Sequence, residues 1–152
     1  MKGSAARQLA RFVRDLDLSR VPEGVVGQAT VLTLDTLGNA LAAVREDFGS
    51  AVLGVAERLG GAPESSLLGR RVRVGAASAV LANATLAHGL DFDDTREDAI
   101  VHTGCVAVTT ALAVGEAVGA TGRAVLEAAI AGVEVMCRVG LVVPGALHAR
   151  HY

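Results

Sequence analysis

A chain of 152 residues, 51% hydrophobic but only 3% aromatic, is long enough to bury one core and must fill it with alanine, valine and leucine. A formal net charge of −2 and a single tyrosine exclude a nucleic-acid surface, which needs a basic stripe and usually stacking rings. No apolar stretch reaches the roughly 20 residues that span a bilayer, and Cys105 and Cys137 form no paired motif, so a cytoplasmic chain with reduced thiols and no membrane contact is expected.

Leu9, Phe12, Val13 and Leu16 recur at helical spacing among Arg7, Arg11, Arg14 and Asp15, which predicts a first amphipathic helix. Pro22 presets the backbone for a second, whose apolar face runs through Val25, Ala29, Leu32, Leu37, Leu41 and Val44 to about Arg45. Ser50 is placed to cap a third, with a stripe of Val52, Val55, Ala56 and Leu59 and a stop at Gly60-Gly61. From Ala62 to Val74 the pattern breaks and a surface connection is expected, although RVRV is also consistent with a short strand. Ala76 to Leu90 is almost continuously small and apolar, the signature of a helix enclosed on several sides. Two more buried helices follow at Cys105–Val118 and Ala124–Val139, with Thr121 capping the second. The sum is a single all-α domain over 1–152 with about six helices. Pro144, Gly145, His148, Arg150 and His151 have the composition of a functional loop.

Chemistry concentrates between Leu86 and Gly104, in LAHGLDFDDTREDAIVHTG, where Asp91, Asp93, Asp94, Glu97 and Asp98 lie close together. If the helix continues through Asp91, then His88, Asp91 and Thr95 share one face and present an imidazole, a carboxylate and a hydroxyl. Asp93, Arg96 and Glu97 would then point elsewhere, as a solvated helix end, while Leu90 and Phe92 would partly bury Asp91. His102 falls where the next helix must begin. Backbone N–H groups at such a terminus favour an anion and lower the pKa of a nearby imidazole, leaving a neutral histidine that can accept a proton. Lys2 is the only lysine, so a lysine-based mechanism within this chain is not expected.

The run LANATLAHGLDFDDT with its downstream HTG, together with LDTLGNALAA (Leu34 to Ala43) and GRAVLEAAIAGVEVMCRVG (Gly122 to Gly140), resembles the MmgE/PrpD family in the right order along nearly the whole chain. That family includes 2-methylcitrate dehydratase, cis-aconitate decarboxylase and iminodisuccinate epimerase. The resemblance implies the N-terminal part of a helical domain joined to a smaller lid domain, with the active site in the cleft between them and no metal, iron–sulfur cluster or organic cofactor. It places His102 and Asp91 as catalytic residues and Thr95 and His88 as substrate-binding ones. Thr103 stands where family members usually carry proline, and the family's active-site lysines and lid have no counterpart in this chain.

The resemblance therefore implies a lyase acting on a small polycarboxylate, with His102 as general acid or base, Asp91 orienting it and arginine holding the substrate. The 152-residue chain alone is expected to lack activity and to work as a homo-oligomer or with a chain that carries the lid. Two other readings stand beside it. Asp93-Asp-Thr-Arg-Glu-Asp98 would hold Mg²⁺ against a diphosphate if it formed an acidic helical motif facing a second one. A non-enzymatic helical subunit or remnant would need no chemistry here at all.

Overall fold

The computed structural model describes residues 4–142. Among these, α1 (Ala5–Asp15) is capped by the Ser4 hydroxyl, and a 3-10 turn at Leu18–Arg20 leads into α2 (Glu23–Ala43). Then come α3 (Asp47–Leu59), the strands β1 (Ser65–Ser66) and β2 (Arg73–Val74), α4 (Ala76–His88), α5 (Gly104–Val118) and α6 (Gly122–Gly140). The architecture is all-α apart from that small antiparallel pair, in which Ser65 opposes Val74. No helix among the described residues is long and apolar enough to cross a membrane. The loop signature at Pro144 to His151 lies outside the described residues.

The centre of the fold is α4, packed against α2, α3 and α5, while α6 covers the other side of α5 and carries α1 on its outer edge. Helices this close need small side chains at their crossings, because interaxial distance is set by what stands between the backbones. The core is accordingly built from Ala40, Ala43, Ala56, Ala79, Ala82 and Ala87, all fully buried, around the larger Leu53 and Leu86. Gly49, in the first turn of α3, marks another close approach, since a Cβ there would run into the carbonyl oxygen of Ala43 at the end of α2.

This packing corrects the apolar faces read from periodicity. On α2 it is Thr36, Ala40 and Ala43 that are fully inside; of the expected stripe Leu32 and Val44 pack partly buried against the core, whereas Val25 is 44% exposed and Leu41 55%. The periodic stripe counts large side chains, but close contact selects the small ones. Helix α3 likewise begins three residues before the expected cap, with Glu46 as N-cap, and the Ser50 N–H already donates to the Glu46 carbonyl as part of the first turn. Its buried residues are Gly49, Leu53 and Ala56, and Leu59 lies largely outside.

The segment expected to be a surface connection is largely exposed, as expected, but is fastened into the core at Ser65, Leu67 and Val74. Ser65 is fully buried and donates to the Ala113 carbonyl at 2.6 Å, and Leu67 and Val74 are buried beside it. Asn83 of α4 accepts from the Leu68 N–H and donates to the Ser66 carbonyl, so the hairpin's backbone is satisfied by a helix side chain. The strand alternative for RVRV is the one realised, over Arg73–Val74. Thr121 caps α6 as expected, accepting from the Ala124 N–H at 3.2 Å.

Candidate functional site

Helix α4 ends at His88 rather than continuing to Asp91. The Asp91 N–H closes a turn onto the His88 carbonyl at 2.8 Å, and Asp91 itself takes a left-handed backbone at φ 55°. Aspartate is among the few residues that adopt this conformation readily. The turn folds the acidic run back over the end of α4 and delivers it to the N-terminus of α5. A tight loop follows, in which the Arg96 N–H donates to the Val101 carbonyl at 2.9 Å and Ile100 is also left-handed at φ 49°. His102 then stands one residue before Thr103, the N-cap of α5.

Three side chains from this path meet at one point. Asp93 has a side chain with no solvent exposure, and its carboxylate accepts from His88 Nδ1, at 3.0 Å to one oxygen and 3.2 Å to the other. Nδ1 of His102 lies 3.3 Å from the same Asp93 Oδ1, so two imidazoles share one buried carboxylate. Their ring centroids are 4.7 Å apart and tilted by 59°. On the outer side, Asp91 is 81% exposed and its Oδ1 is 3.9 Å from His102 Nε2. The Thr95 hydroxyl lies 3.4 Å from His102 Nδ1. With Nδ1 against the carboxylate, the His88 ring carries its proton there, while His102 Nδ1 is flanked by both Asp93 Oδ1 and the Thr95 hydroxyl and its Nε2 faces Asp91.

Burial pushes the Asp93 carboxyl up, but the hydrogen bonds from His88 and the Cys105 thiol, with the charge of His88, outweigh it and hold the group below its ordinary value. The thiol responds in the opposite sense. Burial, followed by the bond to Asp93 and that carboxylate's charge, pushes Cys105 up to about 12. Thiolate is the reactive form, so Cys105 is a structural, inert thiol. Iodoacetamide at about pH 8 is expected to leave Cys105 unmodified in the folded chain and to label it once the chain is unfolded in urea, as read by peptide mass spectrometry. Rapid labelling of Cys105 without denaturant would contradict this.

The start of α5 is occupied by Asp94. Its carboxylate accepts from the Thr103 N–H at 3.2 Å, the Thr103 hydroxyl at 2.6 Å and the Gly104 N–H at 2.7 Å. The anion that a helix N-terminus favours is thus supplied by the chain itself. Thr103, which departs from the usual proline of the family pattern, provides two of these bonds, and a proline has no N–H to give.

Of the four residues singled out in the sequence, His88, Asp91 and His102 reach the same cluster and Thr95 borders it. They meet through a turn and not through the expected helical stripe. Two expectations are corrected. Asp93 does not point to solvent but forms the buried centre, and Asp91 and Phe92 are exposed, Phe92 at 79%. The acidic helical motif for Mg²⁺ is also absent among the described residues. Asp93 faces the histidines, Asp94 caps α5 and Asp98 pairs with Arg96 in the solvent, so the carboxylates diverge. Sequence reasoning missed Asp93 and Asp94 as partners. A signal for Asp94 did exist, because the N–H groups opening α5 require an acceptor and a nearby upstream carboxylate is the natural one.

Fold and site together define an all-helical domain that presents a histidine pair, backed by a buried carboxylate, at the junction of two core helices. The sequence profile of the MmgE/PrpD N-terminal domain matches residues 7–151. The chain belongs to the MmgE/PrpD family, of which it carries the N-terminal domain. No curated protein and no solved structure matches it.

Proposed function

We propose that this domain supplies the proton-transfer half of a cofactor-independent lyase acting on a small polycarboxylate, with 2-methylcitrate dehydration as the model reaction. The observation that carries the reading is the shared carboxylate. With Asp93 Oδ1 and the Thr95 hydroxyl beside Nδ1, His102 protonated at Nδ1 turns an Nε2 lone pair to the accessible side, where it takes a proton from the carbon next to a substrate carboxylate. The protonated ring then returns it to a leaving hydroxyl. Asp93, more than Asp91, is suited to the orienting role, since it is buried and held, while Asp91 at the rim meets the substrate side of the ring. Thr95 and His88 are placed to hydrogen-bond substrate oxygens. Arginines and the opposite wall come from a lid-bearing domain, within a homodimer or a heteromer, and the domain alone is inactive.

The test combines the ¹⁵N-labelled chain with 2-methylcitrate. Expected are shifts of the His88 and His102 ring signals, no turnover by the chain alone, and turnover when it is co-expressed with the C-terminal domain of a family member. Turnover by the chain alone would remove the two-part reading. Unmoved imidazole signals together with no turnover in the combination would remove the lyase reading and favour a purely structural subunit.

A further inference from the structure

We infer that the same junction is a binding site for a divalent transition-metal ion, held by His88, His102, Asp93 and Asp91. One donor atom from each of these four residues can be chosen so that all lie within 4.8 Å of one another. Two of the separations match a coordination sphere as they stand. Donors bound to zinc at about 2.1 Å in a tetrahedron are about 3.4 Å apart. His88 Nδ1 and His102 Nδ1 lie 3.0 and 3.3 Å from Asp93 Oδ1. The ion would replace the proton that lies between His88 and Asp93. Asp91 is the loose member, and as an exposed side chain on a turn it has room to close onto an ion.

Charge and donor type narrow the ligand. Two carboxylates and two neutral imidazoles balance a doubly charged cation, and a nitrogen–oxygen set suits Zn²⁺ or Ni²⁺, whereas Mg²⁺ and Ca²⁺ prefer oxygen alone. Access is open from one side, since the His88 side chain is 50% exposed while Asp93 closes the other. The hydrogen bonds from His88 to the buried Asp93 fix two of the donors relative to each other before any ion arrives, which lowers the cost of assembling the site. A bound ion takes up the imidazoles that proton transfer needs, so it would act as an inhibitor of the proposed chemistry and not as its cofactor. The inference does not rest on the lyase reading, because binding is measured without substrate.

His148 and His151 have a chelating spacing of their own, so the experiment uses the full chain with His148→Ala and His151→Ala as the reference protein. Calorimetric titration of this metal-stripped protein with ZnCl₂ and NiCl₂ at about pH 7.5 is expected to show one ion per chain with micromolar affinity and no response to MgCl₂. His88→Ala and His102→Ala should each weaken Zn²⁺ binding by about tenfold or more. Absence of saturable uptake, or uptake that neither substitution changes, would overturn the site. Should either variant fail to fold, Ni²⁺ added to the reference protein gives the answer directly. Paramagnetic broadening of both the His88 and His102 ring signals is expected, and sharp signals at saturating Ni²⁺ would refute it.

Discussion

Asp93→Asn is expected to lower the stability of the domain by about 1.5–3 kcal/mol, the usual worth of hydrogen bonds to a buried charged group. The carboxylate accepts from His88 Nδ1 through both oxygens and stands 3.3 Å from His102 Nδ1. An amide of the same shape has one oxygen to offer, and its N–H₂ group meets an imidazole N–H, donor against donor. The cost should appear as a lower urea midpoint with an unchanged slope. It should also depend on pH in a defined direction. Because the folded-state carboxyl is held below its ordinary value, the folded chain binds fewer protons than the unfolded chain between the two pKa values. Its contribution is therefore complete above about pH 4 to 5 and is lost as pH falls through the folded value. Wild type and variant should converge in acid, although Asp15, Asp17 and Asp98, also held low by their partners, keep part of the acid dependence in both. In a reconstituted lyase, Asp93→Asn and His102→Ala should each reduce turnover by about 10²–10⁴-fold, and the double variant should fall no further than the worse single one. Unchanged stability at neutral pH would mean that the shared carboxylate is not a structural centre. Additive losses of turnover would mean that Asp93 and His102 do not act as a unit.

The helices were legible in the sequence because their period is long and their ends are marked. Thr121 caps α6, Pro22 precedes α2, and the Gly119 to Gly122 break separates α5 from α6. Their inward faces were harder to read, since hydrophobic periodicity weights leucine and valine while this core is decided by alanine and glycine. The Ser65 to Val74 hairpin was hidden for a related reason. Its burial depends on Asn83 and on the Ala113 carbonyl, partners 15 and 48 residues away from Leu68 and Ser65, and no local pattern carries that information. The candidate site was legible as a set of residues but not as a geometry. His88, Asp91, Thr95 and His102 share a neighbourhood because the chain reverses at Asp91, and a left-handed aspartate looks in sequence like a helix residue. Once the reversal is missed, Asp93 falls on the wrong side and a buried centre is taken for a solvated charge.

Gly104→Ala should damage the domain's functional region, with an expected loss of about 2–4 kcal/mol from overpacking and a broken cap. A Cβ at Gly104 would lie 2.5 Å from Asp94 Oδ1, 2.8 Å from Thr36 Oγ1 and 2.9 Å from Leu32 Cδ1. Two of these neighbours are not free to yield. Asp94 is held by three hydrogen bonds to Thr103 and Gly104, and Thr36 is fully buried with its hydroxyl on the Leu32 carbonyl at 2.8 Å. Alanine's better helix propensity, about 1 kcal/mol in a helix interior, offsets little at a first-turn position. If Asp94 is displaced, the N-terminus of α5 loses its anion and Thr103 its partner. His102, one residue upstream, then moves relative to Asp93. Thermal and urea unfolding measure the first effect, and the imidazole signals of His88 and His102 report the second. Gly49→Ala serves as the control. It should also destabilise, through its clash with the Ala43 carbonyl, but it carries no Asp94 bond and should leave the ring signals of the surviving folded fraction in place. If Gly104→Ala melts like the wild type, or perturbs the rings no more than Gly49→Ala does, the link from the α5 cap to the histidine pair is wrong.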